Sequence, residues 1–343
     1  MKKTVALIYG GEGVEGSISR CSAKNLYSMI SKEKYEVIPV FISHGGSWYI
    51  SDTDPFGALP TRAARPTYPV MLHGRSGLLS EGGIKAVDVA FPTLHGDFGE
   101  DGIIQGALDA AHIRYVGCKV GAGALCADKI YTKAVADGLG IRTARWIAEC
   151  GMSAEDRKRA RQRTEELLGF PVFIKPSCLG SSVGASAVYN GDSFDKAYIS
   201  AARFGGRVLI EELIPVAYEV ECAFLSYGKE KLYSASGIVQ TDGAVYGFAE
   251  KYDINKSPKT LHGVGATPLK AEIEACARAL GEVLSLRHMA RLDFLVGDDG
   301  EIYFNEVNTI PGMTPTSLYP ALTEDMGLSR GEFVELLIED ATK

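Results

Sequence analysis

Residues 290–296 read ARLDFLV, residues 297–300 read GDDG, and residues 301–309 read EIYFNEVNT. Two apolar, alternating runs on either side of an Asp/Gly turn predict a β-hairpin. If the turn pairs Val296 with Glu301, Arg291 lies opposite Glu306, and Asp293 lies diagonal to it at roughly 7–8 Å. The predicted hairpin therefore brings two carboxylates together on one face of a sheet.

A third oxygen ligand is expected on the same face. Asn308 points the same way as Glu306, because side chains two residues apart share a strand face. Two carboxylates and an amide oxygen are hard ligands of the kind that Mg²⁺ prefers. The plainer alternative is a cross-strand salt bridge on a solvated sheet face. Asn308 and the turn at Pro311-Gly312 favour a metal site formed by Asp293, Glu306 and Asn308.

Length and composition indicate an ordinary globular protein. A chain of 343 residues, 46% apolar and 23% charged, predicts two or three domains. The formal charge of −7 disfavours nucleic-acid and anionic-membrane partners. No apolar run is long enough to span a bilayer, and the N-terminus runs into a short strand rather than a signal-peptide core. Seven scattered cysteines without a CxxC pair suggest free thiols, so we expect a cytoplasmic protein.

The first third of the chain alternates strands and helices. Strands are predicted at residues 5–9, 37–42, 87–92 and 114–116, with helices at 17–30 and from 103. This order predicts a mostly parallel sheet covered by helices. Pro39 suggests an edge strand or an irregular pairing. Residues 43–85 are turn-rich and give no clear assignment.

The remaining chain mixes helices with strands. Ser153 and Ser329 are predicted helix caps, and Glu332 completes a capping box with Ser329. The further predicted elements are helices at 129–139, 154–168 and 269–286 and strands at 171–176, 185–188 and 208–212.

The motif Gly11-x-Gly13-x-x-Gly16 follows a strand and opens a helix, as in dinucleotide-binding proteins. A nicotinamide site also needs a carboxylate after the second strand, and the first one there is Asp52. Glu15 adds a negative charge where a phosphate would approach. The motif alone therefore does not support an oxidoreductase.

Two glycine-rich loops are better candidates for binding. Residues 180–184 read GSSVG, five residues after Lys175, and such a loop offers backbone N–H groups and hydroxyls to an anion. It is not a Walker A loop, and its plainer alternative is a hairpin turn. Residues 94–102 read LHGDFGEDG between a strand and a helix, where open α/β sheets bind ligands. There we expect Asp101 to cap the helix and Glu100 to favour its positive end.

A series of motifs follows in one order along the chain. They are Gly10-Gly11 with Glu15-x-x-Ile18-Ser19, His95-Gly-x-x-Gly-Glu-Asp-Gly-x-x-Gln105-Gly, Asp128-Lys129, Lys175-Pro176, Gly180-Ser-Ser-Val-Gly184, Glu250-Lys251-Tyr252, Arg291-x-Asp293 and Asn305-Glu-Val-Asn-Thr-x-Pro-Gly312. Together they resemble the ATP-grasp superfamily and, within it, the D-alanine–D-alanine ligases. The resemblance runs nearly end to end.

The resemblance implies an α/β and α+β protein with the ATP-grasp fold. It implies an N-terminal α/β domain with a parallel sheet (residues 1–128), a central domain (129–218) and a C-terminal domain (219–343), with ATP between the last two. The implied nucleotide contacts are Lys129 and Lys175 to the phosphates, Glu211 or Glu212 to adenine, Glu219 to ribose, and Ser182 and Lys251. Asp293, Glu306 and Asn308 would hold two Mg²⁺ ions, for which Mn²⁺ is a conceivable substitute.

The implied reaction joins two D-alanines to D-alanyl-D-alanine for peptidoglycan precursor synthesis. The first carboxylate attacks the γ-phosphate to form an acyl phosphate, and the second amine then displaces phosphate. Such chemistry mainly requires positioning and charge neutralisation. In the family, Glu15 binds the first ammonium group, Ser181 and Tyr252 tie a loop over the site, Arg291 and the Gly312 N–H stabilise the oxyanion, His95 orients the first substrate, and Ser317 and Leu318 hold the second.

Tyr252 and Leu318 favour D-alanine as acceptor over D-serine, with D-lactate least favoured, because relatives that use the other acceptors usually differ there. Residues 253–265 depart from the usual lid sequence. The hinge between Glu212 and Glu219 is one residue longer than in relatives, so which glutamate meets adenine stays open. A D-alanine–D-serine ligase and a non-catalytic ATP-grasp nucleotide-binding protein remain alternatives. A homodimer is expected by analogy with the family.

Overall fold

The computed structural model describes residues 2–13, 15–50, 56, 65–72, 75–180, 183–239, 262–265 and 267–343. In these ranges the chain forms three sheets with helices packed on their faces. Each sheet is built from a different stretch of sequence.

The first sheet is formed by residues before position 93. Its strands are β1 (Lys3–Gly10), β2 (Tyr35–Ile42), β3 (Trp48–Ile50), β4 (Arg65–Leu72), β5 (Arg75–Ser80), β6 (Gly83–Ala86) and β7 (Val89–Pro92). Helix α1 (Gly16–Met29) follows β1, and α2 (Ile103–Ala110) follows β7. The strand order is β6-β5-β4-β3-β2-β1-β7. The site loops after β1 and β7 therefore leave the sheet side by side.

The predicted parallel pairing is confirmed for β1 with β2 and with β7. Strands β3 to β6 extend the sheet in antiparallel fashion, from the region without a clear sequence assignment. The predicted strand at 114–116 contributes one parallel bridge, between Ala90 and Tyr115. Thus the parallel part of the sheet is the part next to the site loops.

The edge position suggested by Pro39 is wrong, because β2 lies between β1 and β3. The paired residues of β3 reach only Val40 to Ile42 of β2. Pro39 therefore lies just outside the β2–β3 ladder, where its missing N–H group breaks no pairing with β3.

The second sheet has four antiparallel strands. Helices α3 (Val120–Ala127) and α4 (Lys129–Gly138) lead to it from the first sheet. Its elements are β8 (Trp146–Cys150), α5 (Ala154–Leu167), β9 (Val172–Pro176), β10 (Ser186–Val188), a 3₁₀ turn (Gly191–Ser193), α6 (Phe194–Ala202) and β11 (Arg207–Glu212). The order is β10-β9-β11-β8. The predicted loop at 180–184 joins β9 to β10.

The third sheet carries the predicted hairpin of residues 290–309. Its strands are β12 (Val216–Tyr227), β13 (Glu230–Val239), β14 (His262–Val264), β15 (Met289–Gly297) and β16 (Ile302–Asn308), in the order β14-β13-β12-β15-β16. Helix α7 (Lys270–Val283) precedes β15, and α8 (Leu318–Asp325) and α9 (Arg330–Ala341) end the chain. The predicted capping boxes are present at Ser153 and Ser329.

The first and third sheets share one apolar core. Phe333 and Leu337 of α9 are buried in the same core as Leu7 of β1 and Phe91 of β7. Tyr319 of α8 belongs to it as well and donates a hydrogen bond to the Phe224 carbonyl of β12 at 2.6 Å. This shared core fixes the first sheet against the segment that follows β16. Nowhere in the described ranges is a helix long and apolar enough to cross a membrane.

Candidate active site

The β15–β16 hairpin exists, but its predicted register is wrong. Val296 pairs with Ile302 rather than Glu301, and the register shifts again between Asp293 and Phe294. Asp293 consequently lies directly opposite Glu306, not diagonal to it. The register differs by one residue at the turn, where Glu301 is not paired with Val296, and by a second residue at a β-bulge, which inserts an unpaired residue and re-aims the strand.

Asp293 is held by two neighbours on the hairpin. Arg291 donates to it through Nε and Nη2, both at 2.7 Å, and Asn308 donates through Nδ2 at 3.0 Å. Burial raises the pKa of Asp293 to about 6, although the Arg291 guanidinium opposes the shift. Glu221 pairs with Asp293 between the neighbouring strands β12 and β15, and its Oε2 is 3.6 Å from Arg291 Nε. The guanidinium therefore sits between two carboxylates.

Lys129, the first residue of α4, connects the hairpin to the glycine-serine loop. Its Nζ is 3.1 Å from Glu306 Oε2 and donates to the Leu179 carbonyl at 3.0 Å. Burial alone lowers the pKa of Lys129, but the Glu306 carboxylate outweighs burial and raises it. The ammonium group therefore stays charged next to the start of the loop.

Lys175 belongs to a buried network of alternating charges. Its Nζ is 2.6 Å from Glu211 Oε2, and the other Glu211 oxygen contacts Lys133 of α4. Lys175 also donates to Asn305 Oδ1 at 3.2 Å, and Asn305 is the unpaired residue of the bulge. The network thus links α4, the second sheet and the hairpin.

Glu211 and Glu212, the two predicted adenine contacts, lie on opposite faces of the sheet, because successive side chains of β11 alternate. Glu211 faces the two lysines, whereas Glu212 accepts from the Arg145 backbone N–H at 2.9 Å and from Arg145 Nε at 2.8 Å. Glu212 therefore faces away from Lys175. Of the two, only Glu211 lies beside the predicted phosphate-binding lysine.

Glu15 lies where the loops after β1, β7 and β9 meet. It is buried immediately before α1. A Cβ added at Gly96, where φ is +70°, would come within 2.5 Å of Glu15 Oε2, and one at Gly180 within 3.7 Å. The glycine at position 96 thus makes room for this carboxylate, whereas a Cβ at Gly180 would make an ordinary contact with it.

His95 is neutral and fully engaged. Its Nδ1 lies 3.1 Å from the Ile310 carbonyl, which can only accept, so Nδ1 carries the proton. Its Nε2 then accepts from Ser22 Oγ at 2.9 Å, and that oxygen accepts from the Met313 N–H at 3.2 Å. Burial lowers the pKa of His95 to about 4. His95 therefore joins α1 to the segment after β16.

The segment after β16 turns toward the start of α8. Ser317 Oγ accepts from the Thr314 N–H at 3.1 Å. A Cβ at Gly312 would lie 2.7 Å from that same oxygen, so the close approach requires glycine. Ser317 and Leu318 both line the same cavity as Glu15 and Arg291.

Most of the predicted site residues line one cavity. It is lined by Glu15, Ile18, His95, Glu100, Gly180, Glu219, Glu221, Val239, Arg291, Asp293, Glu306, Asn308, Ile310, Gly312, Thr314, Thr316, Ser317 and Leu318. Lys129 and Lys175 contact the hairpin at Glu306 and Asn305, and Glu211 contacts Lys175. The predicted residues Ser181, Ser182, Lys251 and Tyr252 lie outside the described residues.

Three further residues near the site were not predicted. Lys133 lies one helical turn after Lys129, and Glu221 follows Glu219 on one strand face, so periodicity alone could have indicated both. Glu100 was assigned to the positive end of a helix, but its carboxylate bridges two loops, accepting from Gly96 N at 2.9 Å and Ile310 N at 3.1 Å. No local sequence signal indicates that bridge.

The hairpin oxygens suit a divalent metal. No cluster of three or more His, Cys, Asp or Glu side chains with the spacing of a metal site occurs in the described part of the chain. The candidate set therefore depends on the Asn308 amide in addition to Asp293 and Glu306. These are hard oxygen donors, and both carboxylates are paired here with cationic side chains, Glu306 with Lys129 and Asp293 with Arg291.

Comparison with known proteins shows the family to which the chain belongs. The family models described as D-ala D-ala ligase N-terminus and C-terminus match residues 4–118 and 135–339. A D-alanine–D-alanine ligase from a Thermoanaerobacter species is 36% identical, covering 100% of this chain and 97% of the relative. One from Lactobacillus helveticus is 34% identical, covering 98% and 95%.

Solved structures agree as well. The VanG D-Ala:D-Ser ligase from Enterococcus faecalis matches with a TM-score of 0.88 at 30% identity, covering 99% of this chain and 100% of that one. The D-alanine–D-alanine ligase from Coxiella burnetii matches with a TM-score of 0.82 at 30% identity, covering 99% and 95%. The chain belongs to the D-alanine–D-alanine ligase family, whose members are ATP-dependent ligases with the ATP-grasp fold.

Proposed function

We propose that this protein joins two D-alanines into D-alanyl-D-alanine, at the expense of ATP, for peptidoglycan precursor synthesis. The observation that carries the proposal is the single cavity in which Glu15, Arg291, Asp293, Glu306 and Ser317 meet. Anionic, cationic and hydroxyl groups there match two zwitterionic amino acids and a nucleotide.

The nucleotide lies at the lysine end of the site in this proposal. Lys129 and Lys175 contact its phosphates, Glu211 lies next to adenine, and Glu219 takes the ribose. Ser182 and Lys251 are assigned to the same nucleotide. The contact between Lys129 and Leu179 supports this arrangement, because it holds a buried cation at the start of the glycine-serine loop.

Asp293, Glu306 and Asn308 are proposed to hold two Mg²⁺ ions, which Mn²⁺ would also satisfy. When bound, the ions would neutralise charge on the phosphates. The chain's own contribution is to present hard oxygens at that place and to keep Arg291 beside them.

The first D-alanine binds with its ammonium group at Glu15. Its carboxylate attacks the γ-phosphate, and the product is an acyl phosphate. His95 orients this substrate with its ring, since both ring nitrogens are engaged elsewhere. Ser181 and Tyr252 are proposed to hydrogen-bond in line with Glu15 and tie a loop over the site, which would exclude water from the acyl phosphate.

The second D-alanine binds between Ser317 and Leu318. Its amine attacks the acyl phosphate, a tetrahedral oxyanion forms, and phosphate leaves. Arg291 and the Gly312 N–H stabilise that oxyanion. Fixed donors aimed at developing charge are usually the largest single contribution to such a step.

D-Serine is the second candidate acceptor, since one well-matched structure is a D-Ala:D-Ser ligase. Leu318 favours D-alanine. The proposed domains are residues 1–128, 129–218 and 219–343. The boundary between residues 218 and 219 separates the second sheet from the third, except that β12 begins shortly before it, at Val216. We further propose a cytoplasmic homodimer with no nucleic-acid or membrane partner.

The decisive experiment measures phosphate release from Mg-ATP with D-alanine alone, then with D-serine or D-lactate added, with products identified by mass. D-Alanyl-D-alanine from D-alanine alone would support the proposal. ATP binding without any dipeptide would refute it and favour a non-catalytic nucleotide-binding protein. A mixed product formed in preference to D-alanyl-D-alanine would replace the acceptor.

A further inference from the structure

We infer that Glu100 is a positioning residue for the backbone N–H of Gly312, and hence for the second half of the proposed reaction. The inference rests on the proposed function, because it assigns a role to Glu100 in the attack on the acyl phosphate. Its geometric part, that Glu100 holds the segment after β16, can be tested independently of activity.

The Glu100 carboxylate connects two loops that are far apart in sequence. Oε2 accepts from the Gly96 N–H at 2.9 Å, and Oε1 accepts from the Ile310 N–H at 3.1 Å. Each oxygen thus holds one loop. Burial, together with the nearby Glu15 carboxylate, raises the pKa of Glu100 to about 7. Keeping the Glu100 carboxyl ionised in this place therefore costs free energy.

Three other side chains hold the same segment. His95 donates to the Ile310 carbonyl at 3.1 Å, Ser22 accepts from the Met313 N–H at 3.2 Å, and Asn25 donates to the Met313 carbonyl at 2.8 Å. With Glu100, these side chains engage both backbone polar groups of Ile310 and of Met313. Pro311 and Gly312 therefore lie between two anchored residues.

This anchoring determines where the Gly312 N–H points. Pro311 has a restricted φ, so fixing Ile310 on one side and Met313 on the other leaves the intervening peptide little freedom. An oxyanion donor is effective only when it is held in place before the charge develops. Glu100 contributes to the reaction by supporting this donor, without contacting substrate.

Glu100→Gln is the appropriate variant because glutamine keeps the shape but can accept from only one of the two N–H groups. Its NH₂ group then faces the other donor. We expect the turnover number for dipeptide to fall at least 10-fold, compared with the 10²–10³-fold typical of losing an oxyanion donor outright. The KM for ATP should stay within about 3-fold, since the nucleotide contacts are elsewhere.

The ratio of ADP to dipeptide distinguishes positioning from general damage. Phosphoryl transfer to the first D-alanine does not use the Gly312 N–H, so the acyl phosphate should still form and then hydrolyse. ADP release should therefore exceed dipeptide formation in Glu100→Gln, whereas the wild type forms both in equal amounts. Amide hydrogen exchange at residues 309–313 should also become faster.

Asp101→Asn is the matched control. Asp101 accepts from Phe98 N at 2.9 Å and Ile103 N at 3.0 Å within the same loop. It has no hydrogen bond to Ile310 in the described structure. Its ratio of ADP to dipeptide should stay at one, and exchange at residues 309–313 should match the wild type.

Equal ADP and dipeptide in Glu100→Gln, or unchanged exchange at Ile310, would overturn the inference. So would the same uncoupling in Asp101→Asn, which would indicate general disruption of the loop. A wild-type chain that makes no dipeptide would refute the proposed function instead, and faster exchange at Ile310 in Glu100→Gln would then establish the anchor alone.

Discussion

Replacing Glu211 by glutamine tests the buried charge network beside the proposed phosphate site. The Glu211 side chain is 6% exposed, and its lysine partners Lys133 and Lys175 are 1% and 10% exposed. The substitution keeps the shape but leaves two buried ammonium groups facing each other. Breaking a buried ion pair by removing one partner costs about 3–5 kcal/mol. We expect at least that loss in the free energy of unfolding.

The measurement is urea unfolding, compared with Glu282→Gln. Glu282 pairs with Lys231 at 2.6 Å, the same distance as Glu211 to Lys175, but those side chains are 57% and 39% exposed. Exposed pairs contribute about 0–1 kcal/mol. If Glu211→Gln loses less than about 1 kcal/mol, as the exposed control should, the network does not have the energetic role assigned to it.

The pH dependence of Glu211→Gln checks the cause. Burial already lowers the pKa of Lys175 while Glu211 is present, and removing the carboxylate lowers it further. The folded state then binds fewer protons than the unfolded state, so its stability rises with pH. The loss should therefore shrink from neutral pH toward pH about 10, where free lysine titrates. Adding Lys133→Met to Glu211→Gln removes one of the two unpaired charges. If the double variant is no more stable than Glu211→Gln at neutral pH, like-charge repulsion is not the cause of the lost stability.

Three further predictions concern the cavity. Gly96→Ala should raise the KM for D-alanine by displacing Glu15. Gly140 has the same φ of +70°, but a Cβ there would meet no atom within 4 Å, so Gly140→Ala should leave the KM unchanged. Equal KM values in the two variants would refute the Glu15 assignment. Because the pKa of His95 is about 4 in the folded protein and 6.5 in the unfolded chain, only the unfolded state gains this proton as the pH falls from 6.5 to 4. The free energy of unfolding of the wild type should therefore fall by about 3 kcal/mol across that window, and His95→Gln should not show this fall. Asp293→Ala should abolish turnover with an unchanged circular dichroism spectrum, and wild-type rates would remove the metal assignment.

Local sequence signals predicted the parts of the fold that depend on neighbouring residues. The caps at Ser153 and Ser329 involve partners three residues away, so the sequence contains both members of each contact. Strand alternation likewise placed Asp293 and Glu306 on one face. The same alternation could not place them opposite each other, because a bulge at Asn305 changes the register without changing the pattern of apolar residues.

Contacts between distant residues could not be predicted in this way. The bond from Ile310 to Glu100 spans 210 residues, and it exists because α9 and the first sheet bury a common core. Helix-end electrostatics offered a sufficient local role for Glu100, so nothing in the sequence pointed to a second one. The family resemblance indicated which residues gather at the site, whereas the hydrogen bonds that hold them follow from packing.

The charges around the cavity favour ligands that carry positive charge. Of the described residues lining it, Glu15, Glu100, Glu219, Glu221, Asp293 and Glu306 are acidic, whereas Arg291 is the cationic one. Burial raises the pKa of Glu100 to about 7, with the Glu15 carboxylate adding to the shift, and raises the pKa of Asp293 to about 6 although the Arg291 guanidinium opposes the shift. An ammonium group at Glu15 and divalent cations at the hairpin would add positive charge to a cavity lined mainly by carboxylates. The acidic lining therefore favours binding of the proposed substrates, whereas Glu100, whose two oxygens accept from the Gly96 and Ile310 N–H groups, holds backbone rather than substrate.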